Sequence, residues 1–150
     1  MTKFHDEAVS PRGETLVEKT VASDLGVKTP LIVGLSSELI ERGLIDEDNR
    51  EKVETCFEEV FTNAIVHGNE CDRERKVRAR LFRDGEIWGL QVTDEGAGFS
   101  PDRIPDPEDP EFPWMEHGRG VHMMNLIADE VEFFSGGRTV VLTWNPAAQD

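Results

Sequence analysis

Glu59 and Asn63 stand four residues apart in a stretch with helical apolar spacing, so both side chains project from one helix face. Val60, one step round the helix, belongs to the apolar stripe, which leaves the two polar groups on its border. An amide oxygen there could bind Mg²⁺, which takes hard oxygen ligands. A carboxylate one turn away could accept the proton of a substrate hydroxyl group. Taken alone, the pair is also typical of an ordinary exposed helix face.

Asp94 is a second candidate for chemistry, because it follows an apolar stretch and precedes two glycines, Gly96 and Gly98. Glycine lets the backbone approach a planar ligand closely or adopt a positive φ. A carboxylate held at such a turn could accept a hydrogen bond from an exocyclic amine such as N6 of adenine. As an isolated motif, the segment fits an ordinary Asp-Gly turn equally well.

Gly118-Arg119-Gly120 stands before a segment with a helical pattern, where helix N-terminal amides could bind phosphate. Arg119 either contacts that phosphate or is solvated. The segment is not a dinucleotide fingerprint, because proline-rich chain rather than a strand precedes it and the third glycine is missing. No GxxxxGK[ST] sequence is present, which excludes a P-loop enzyme. Together, the three motifs predict a nucleotide site with a bound divalent cation.

The charge balance limits the choice of partners. The 150 residues carry a formal net charge of −15, which argues against a nucleic-acid surface. ATP remains compatible with this charge, since backbone N–H groups and a metal ion can hold a triphosphate locally. One basic run predicts either a solvated strand face balanced by nearby carboxylates or a docking face for an acidic partner; its members are Arg73, Arg75, Lys76, Arg78, Arg80 and Arg83.

The apolar residues and the cysteines indicate the compartment. No apolar run approaches the length of a membrane span, so we expect no membrane partner. The first six residues lack the apolar core of a signal peptide, which favours the cytoplasm. Cys56 and Cys71 form neither a CxxC pair nor a ligand cluster, so we expect a packed pair of reduced thiols rather than a disulfide or a metal site.

Apolar periodicity and capping residues predict three helices. A hydroxyl cap at Thr29 before Pro30 opens the first, and Gly43 ends it. Asp48 with Glu51 resembles a capping box that opens a second, longer helix, for which Gly68 is the stop. The third helix is expected over residues 120–129.

Alternating patterns predict five strands, over residues 14–23, 76–83, 86–93, 131–134 and 139–144. Asp84-Gly85 and Gly136-Gly137 are the expected hairpin turns. Prolines 101, 105, 107, 110 and 113 indicate a long surface loop over 100–113. Residues 1–13 are expected to form a flexible tail, followed by a single domain over 14–145. The element order predicts an α/β (α+β) two-layer sandwich with a mixed, largely antiparallel sheet.

As a set, these motifs resemble the N box and the two glycine boxes of the GHKL (histidine kinase-like) ATPase superfamily. The likeness is greatest to its branch of anti-sigma-factor serine/threonine kinases. It runs from about residue 14 to residue 144 and includes the sequences NAIVHGN and GRGVHMMNLIADEVEF. The resemblance implies a Bergerat-type ATP-binding fold, with ATP held between the helical layer and a proline-rich lid.

The resemblance also assigns a role to each motif residue. Glu59 would be the general base, Asn63 would coordinate Mg²⁺ and Asp94 would recognise adenine. The remaining cofactor-binding residues would shape the pocket or admit the phosphates: Gly96, Gly98, Gly118, Arg119 and Gly120. His117 and Arg119 stand where the branch usually has Ser or Thr, and the lid segment 105–110 is unusually acidic and proline-rich.

Kinases of this branch transfer the ATP γ-phosphoryl group to a Ser or Thr of an anti-anti-sigma partner and sequester a sigma factor; many are homodimers. The resemblance therefore implies these partners here. The alternative is a non-catalytic regulator whose protein affinity is gated by ATP. A scaffold without nucleotide binding is disfavoured by the intact Asn63 and Asp94. A sensor histidine kinase is another candidate within the superfamily, because His5-Asp6-Glu7 with Pro11 resembles its phosphoacceptor motif. We do not expect one, because the proline spacing differs by one residue and there is no room upstream of His5 for the dimerisation helices.

Overall fold

The computed structural model describes residues 2–10, 12–96 and 116–146, with the backbone alone for 116–121. Its strands are β1 (Thr2–Phe4), β2 (Glu14–Ala22), β3 (Lys76–Asp84), β4 (Ile87–Thr93), β5 (Glu130–Phe134) and β6 (Thr139–Trp144). Its α-helices are α1 (Lys28–Glu41), α2 (Glu47–Thr62) and α3 (Glu116–Ile127). A 3₁₀ turn (Leu25–Val27) precedes α1, and a π-helical segment (Asn63–Gly68) continues α2.

The six strands form one sheet in the order β1-β5-β6-β4-β3-β2. All neighbouring strands are antiparallel except β1 and β5, which are parallel. Alternate strand residues such as Val77, Leu81 and Leu90 are fully buried and belong to one core with the apolar faces of the helices. The predicted two-layer α/β sandwich with a mixed, largely antiparallel sheet is therefore confirmed.

The N-cap of helix α2 lies two residues before the predicted one. Asp46 is its N-cap residue, and the carboxylate accepts a hydrogen bond from the backbone N–H of Asn49 at 3.1 Å. The predicted box of Asp48 and Glu51 is therefore wrong, because both residues already lie inside the helix. Five apolar residues of α2 are buried in the core: Val53, Cys56, Phe57, Val60 and Phe61.

Helix α1 ends as predicted but begins differently. Its first residue is Lys28, and no side chain caps it, so the predicted cap at Thr29 is wrong. Asp24 instead caps the preceding 3₁₀ turn by accepting from the N–H of Gly26 at 2.8 Å. Gly43 has a φ of 72° and donates to the Ile40 carbonyl, the geometry of a glycine that ends a helix.

Both predicted hairpin turns are confirmed. Asp84 pairs with Ile87 across a turn in which Gly85 has a φ of 64°. Gly136 and Gly137, which also have positive φ, join β5 to β6. The predicted loop over 100–113 lies outside the described residues.

The N-terminal residues are not the predicted tail. Thr2–Phe4 forms β1 and pairs with β5, while β2 lies at the opposite edge of the sheet. His5 stacks on Phe134 with ring centroids 4.5 Å apart, and farther along Arg80 donates to the carbonyl of Gly13 at 3.1 Å. The chain between β1 and β2 therefore leads from one edge of the sheet to the other, on the face opposite the helices. Val141 lies on that face and is buried.

The two cysteines differ in environment. Both are free thiols, as predicted, but Cys56 is buried whereas Cys71 is exposed. The prediction of a packed pair is therefore wrong. Cys71 lies in the turn after the π-helical segment, where Glu70 and Cys71 both have positive φ.

Candidate nucleotide-binding site

Glu59 and Asn63 lie where α2 changes its winding. The helix ends at Thr62 and the backbone continues through a π-helical segment that begins at Asn63. The Asn63 N–H donates to the carbonyls of both Glu59 and Val60. Both polar side chains are partly buried, as expected at the border of an apolar stripe. Local π-helical turns are frequent at functional sites because they redirect side chains from the regular helical path.

The Glu59 carboxylate also influences the core thiol one turn earlier in α2. Burial raises the pKa of Cys56 to about 12, and the negative charge of Glu59 adds to that rise. Cys56 is therefore a packed, unreactive thiol, and Glu59 lies on the side of the helix that meets the core.

The π-helical segment brings Gly68 against the predicted adenine-recognition turn. A methyl group on Gly68 would overlap the carboxylate of Asp94, and one on Gly96 would overlap the carbonyl oxygen of Gly68. A larger residue at Gly96 would therefore displace the backbone of Gly68, and one at Gly68 would displace the Asp94 carboxylate. The two motifs therefore meet in space, although about thirty residues separate them in the chain.

Asp94 is held by its backbone and by its carboxylate. Its N–H donates to the Arg138 carbonyl at 2.9 Å, and its Oδ1 accepts from the Gly96 N–H at 2.8 Å. Burial raises the pKa of Asp94 to about 6, a rise limited by the Gly96 hydrogen bond and by the charges of Arg138 and Arg75. A carboxylate that remains this poorly solvated is suited to accept a hydrogen bond from a ligand.

Asn69 was missed by the sequence analysis. Its side chain is fully buried, and its amide donates to Ser23 Oγ at 2.8 Å and to the Lys76 carbonyl at 3.0 Å. Its Oδ1 accepts from the Glu95 N–H at 2.7 Å. Asn69 thereby ties the residue after Asp94 to β2 and β3. The sequence offered one signal for this role, because Asn69 directly follows Gly68 at the end of the NAIVHGN sequence.

We expect Asn69→Asp to lower the free energy of unfolding by about 2 to 4 kcal/mol, because the buried carboxylate cannot make the two donated bonds. Urea titration at pH 7 measures this difference. Asn49→Asp is the matched control, since Asn49 is exposed in the first turn of α2. An unfolding free energy equal to that of the control would contradict the role given to Asn69.

The second glycine box lies within a helix rather than before one. Helix α3 begins at Glu116, so Gly118, Arg119 and Gly120 belong to its first turns and the predicted start at residue 120 is late. Helix α3 packs against α2 and contacts the π-helical segment that begins at Asn63. Gly98 and the lid segment 105–110 lie outside the described residues.

The site has an acceptor group at one end and a candidate metal ligand at the other. The Asp94 carboxylate is the acceptor, and the close packing of Gly68 and Gly96 fixes its position. Within the described ranges, no three His, Cys, Asp or Glu side chains could together hold a metal ion. The amide oxygen of Asn63 fits Mg²⁺ as a single protein ligand, with phosphates and water completing the coordination.

Two residues of the basic run, both just before β3, form ion pairs within the protein. Arg73 pairs with Asp24 at 2.8 Å, and Arg75 pairs with Asp72 at 3.7 Å. Arg80 donates to the Arg12 carbonyl at 2.9 Å and lies over the Phe82 ring. Nearby carboxylates therefore balance the start of the run, and both predicted roles stay open for the residues on β3.

Comparisons with known proteins show which family the chain resembles. The family described as "Histidine kinase-like ATPase domain" matches residues 23–144. The chain is 34% identical over 97 residues to the anti-sigma F factors of Bacillus thuringiensis (strain Al Hakam), Bacillus cereus (strain AH187) and Bacillus mycoides (strain KBAB4). The match covers 61% of this chain and 66% of each relative, which is just under two thirds of their length.

Among the described helices, none has the length and apolar character to cross a bilayer.

Proposed function

Since the chain belongs to the histidine kinase-like ATPase family, as its motifs predicted, we propose that it is an ATP-dependent regulator that binds and phosphorylates a protein partner. Membership of an ATPase domain family implies ATP binding. The proposal adds that the γ-phosphoryl group passes to a Ser or Thr of an anti-anti-sigma protein. It also adds that the protein sequesters a sigma factor, in keeping with its similarity to anti-sigma F factors.

One observation carries the proposal: the Asp94 carboxylate lies on the backbone of Gly68, at the end of the segment that begins with Asn63. This contact supports a single site in which adenine meets Asp94 and the phosphates extend toward α2. Asp94 would accept the hydrogen bond from the adenine amine, and Gly68 and Gly96 would hold its carboxylate in place.

The other proposed roles belong to residues of α2, of the π-helical segment that follows it, and of α3. Asn63 would hold Mg²⁺ through its amide oxygen, and the bound ion would neutralise charge on the phosphates. Glu59, one turn earlier, would accept the proton of the attacking Ser or Thr hydroxyl group. The backbone of Gly118 and Gly120 in α3 would approach the phosphates, with Arg119 as an additional contact.

The added phosphate would then change the choice of partner. A phosphoserine or phosphothreonine carries nearly two negative charges, and this chain is itself strongly acidic. Repulsion and desolvation would weaken the complex with the phosphorylated protein and free this chain for a sigma factor. A cytoplasmic location and a homodimer belong to the same proposal.

A regulator without phosphotransfer is the second candidate, because a half-buried Asp94 beside glycines supports nucleotide binding without requiring catalysis. Time courses of phosphate incorporation into a purified anti-anti-sigma protein separate the two candidates. Incorporation that exceeds one phosphate per regulator, with the regulator at a tenth of the substrate concentration, supports the kinase. No incorporation at stoichiometric concentrations, with ATP-dependent complex formation intact, supports the gated regulator.

We expect Asn63→Ala to remove the Mg²⁺ dependence of ATP-analogue binding, because the amide oxygen that would hold the ion is lost. Affinity in the presence of Mg²⁺ should fall by roughly tenfold to a hundredfold, the range for a lost ligand to a bound ion. Calorimetric titration with and without Mg²⁺ measures both values. Asn49→Ala removes an amide at the other end of α2 and should leave both unchanged; a preserved Mg²⁺ dependence in Asn63→Ala would refute the assignment.

A further inference from the structure

Three successive backbone N–H groups hold the turn that carries the Asp94 carboxylate. The Asp94 N–H donates to the carbonyl of Arg138, just before β6, at 2.9 Å. The Gly96 N–H donates to Asp94 Oδ1 within the turn itself. Between them, the Glu95 N–H donates to Asn69 Oδ1 at 2.7 Å, so a side chain from another part of the fold reaches into this turn.

The hydrogen bond from Glu95 to Asn69 acts on Asp94 itself. The Glu95 N–H belongs to the peptide group that joins the two residues of the turn, and this group is planar. The acceptor of its hydrogen therefore also fixes the carbonyl and the Cα of Asp94 in the same plane. Since the carboxylate projects from that Cα, the Asn69 amide restrains the direction in which the carboxylate points.

The amide of Asn69 has one orientation that satisfies its surroundings. Its Nδ2 donates to Ser23 Oγ at 2.8 Å and to the Lys76 carbonyl at 3.0 Å. Half a turn of the amide would set Oδ1 against the Lys76 carbonyl and Nδ2 against the Glu95 N–H, so these bonds would be lost. Because Asn69 is fully buried, water could replace them only if the structure moved.

The same network attaches the turn to the beginning of β3. Ser23 is fully buried, and its Oγ donates to the Arg75 carbonyl at 2.6 Å while it accepts from Asn69. The Glu95 carboxylate accepts from the Lys76 N–H, which is the first of the strand. The position of the turn is therefore set by the sheet.

We propose that Asn69, held by Ser23, is a positioning residue for adenine recognition, which orients the Asp94 carboxylate toward the 6-amino group of the ring. This role rests on the proposed function, because it requires Asp94 to accept the hydrogen bond from that amine. Residues that only stabilise the fold affect every nucleotide alike. A carboxylate that points in the wrong direction weakens binding only of a ligand that carries the amine.

The test compares ATP with purine riboside triphosphate, which has the same ring system and phosphates but no 6-amino group. Calorimetric titration gives the ATP preference, which is the ratio of the two dissociation constants. We expect wild-type protein to prefer ATP by roughly tenfold to 150-fold, the range for a hydrogen bond to a charged group. Asn69→Ala should reduce this preference by roughly threefold to tenfold. Ser23→Ala should reduce it by a smaller factor, because Asn69 keeps its bonds to Lys76 and Glu95.

Ser36→Ala is the matched control for Ser23→Ala. Ser36 is also fully buried, but its hydroxyl group bonds to the Val33 carbonyl and the Glu54 carboxylate, between α1 and α2. Its loss should leave the ATP preference unchanged. Partial unfolding lowers the affinity for both triphosphates by the same factor, so the preference reports the positioning role separately from stability.

A double-mutant cycle tests whether Asn69 acts through Asp94. In the Asp94→Asn background, Asn69→Ala should change the ATP preference much less than it does in wild-type protein, because the charged acceptor is already absent. Equal changes in the two backgrounds would overturn the proposal.

An ATP preference in Asn69→Ala equal to that of wild type would also overturn the positioning role, while the proposed function would stand. The same holds if Ser36→Ala lowers the preference as much as Ser23→Ala does. If Asn69→Ala does not fold by circular dichroism, the comparison of Ser23→Ala with Ser36→Ala decides. Wild-type protein that binds neither triphosphate, or both equally, would instead refute the role proposed for Asp94, and the positioning role with it.

Discussion

Replacing Asp94 by asparagine is expected to weaken ATP binding by roughly tenfold to 150-fold, while making the nucleotide-free protein more stable at neutral pH. The carboxylate is the proposed acceptor for the adenine amine, and the neutral amide that Asp94→Asn puts in its place is a weaker acceptor. Loss of a hydrogen bond to a charged group weakens binding by roughly tenfold to 150-fold. Calorimetric titration with an ATP analogue measures this loss.

The gain in stability follows from the pKa of Asp94, which burial raises from 3.8 to about 6. A group with a raised folded pKa favours folding fully only below its unfolded pKa, and this contribution is lost as the pH rises through the folded pKa. Above pH 6 the folded protein therefore holds a poorly solvated charge, at a cost on the order of 2 kcal/mol after allowance for partial exposure. The Asp94→Asn substitution removes that charge.

Urea titrations at pH 7.5 and at pH 4 test the sign of this effect. The stabilisation of Asp94→Asn should be present at pH 7.5 and should shrink toward zero at pH 4, where the wild-type carboxyl group is largely protonated in the folded state. Asp84→Asn is the control, since Asp84 is exposed in a hairpin turn and pairs with Arg12. Full ATP affinity in Asp94→Asn would refute the assigned role, and lower stability at neutral pH would refute the charge argument.

Glu59→Gln is expected to lower the rate of phosphate transfer by roughly a hundredfold to ten-thousandfold, the usual contribution of a general base. ATP affinity should change little, because the carboxylate would act on the incoming hydroxyl group and not on the nucleotide. Initial rates of phosphate incorporation at saturating Mg²⁺-ATP, with titration of the same sample, separate the two effects.

Glu58→Gln is the matched control for this experiment. The neighbouring glutamate has the same chemistry, but its Oε1 pairs with Lys28 Nζ at 2.6 Å at the start of α1. This pair is partly exposed, so its loss should cost about 1 kcal/mol or less in stability and should leave the transfer rate nearly unchanged. Equal rates for Glu59→Gln and wild type would remove Glu59 from the mechanism.

Local sequence signals predicted those parts of the fold that local chemistry decides. Asp84-Gly85 and Gly43 require conformations that glycine provides, so both a turn and a helix end could be assigned correctly. Helix starts were less certain, because several polar residues compete for the cap. Asp46 was overlooked in favour of Asp48, since an acidic residue in the first turn resembles a cap in the sequence.

Features that depend on distant pairing could not be predicted in the same way. Strand β1 is short and becomes a strand only because β5 lies beside it. The role of Asn69 depends on Ser23, Lys76 and Glu95 meeting around one amide, and no spacing in the chain encodes that meeting. For the candidate site, the motifs predicted which residues to examine, whereas the contact of Gly68 with Asp94 emerged only from the fold.

The pairing of β1 with β5 also has a consequence for how the protein is made. Thr2 pairs with Val131 and Phe4 pairs with Phe133, so β1 leaves the ribosome long before its partner β5 has been synthesised. Local hairpins such as β3–β4 can form earlier, because their loops are short and cost little entropy to close. The chain between β1 and β2, which covers the sheet face opposite the helices, is therefore expected to pack only after β5 has been synthesised. Once β6 has formed, and until that segment has packed, the apolar surface around Val141 remains accessible to chaperones.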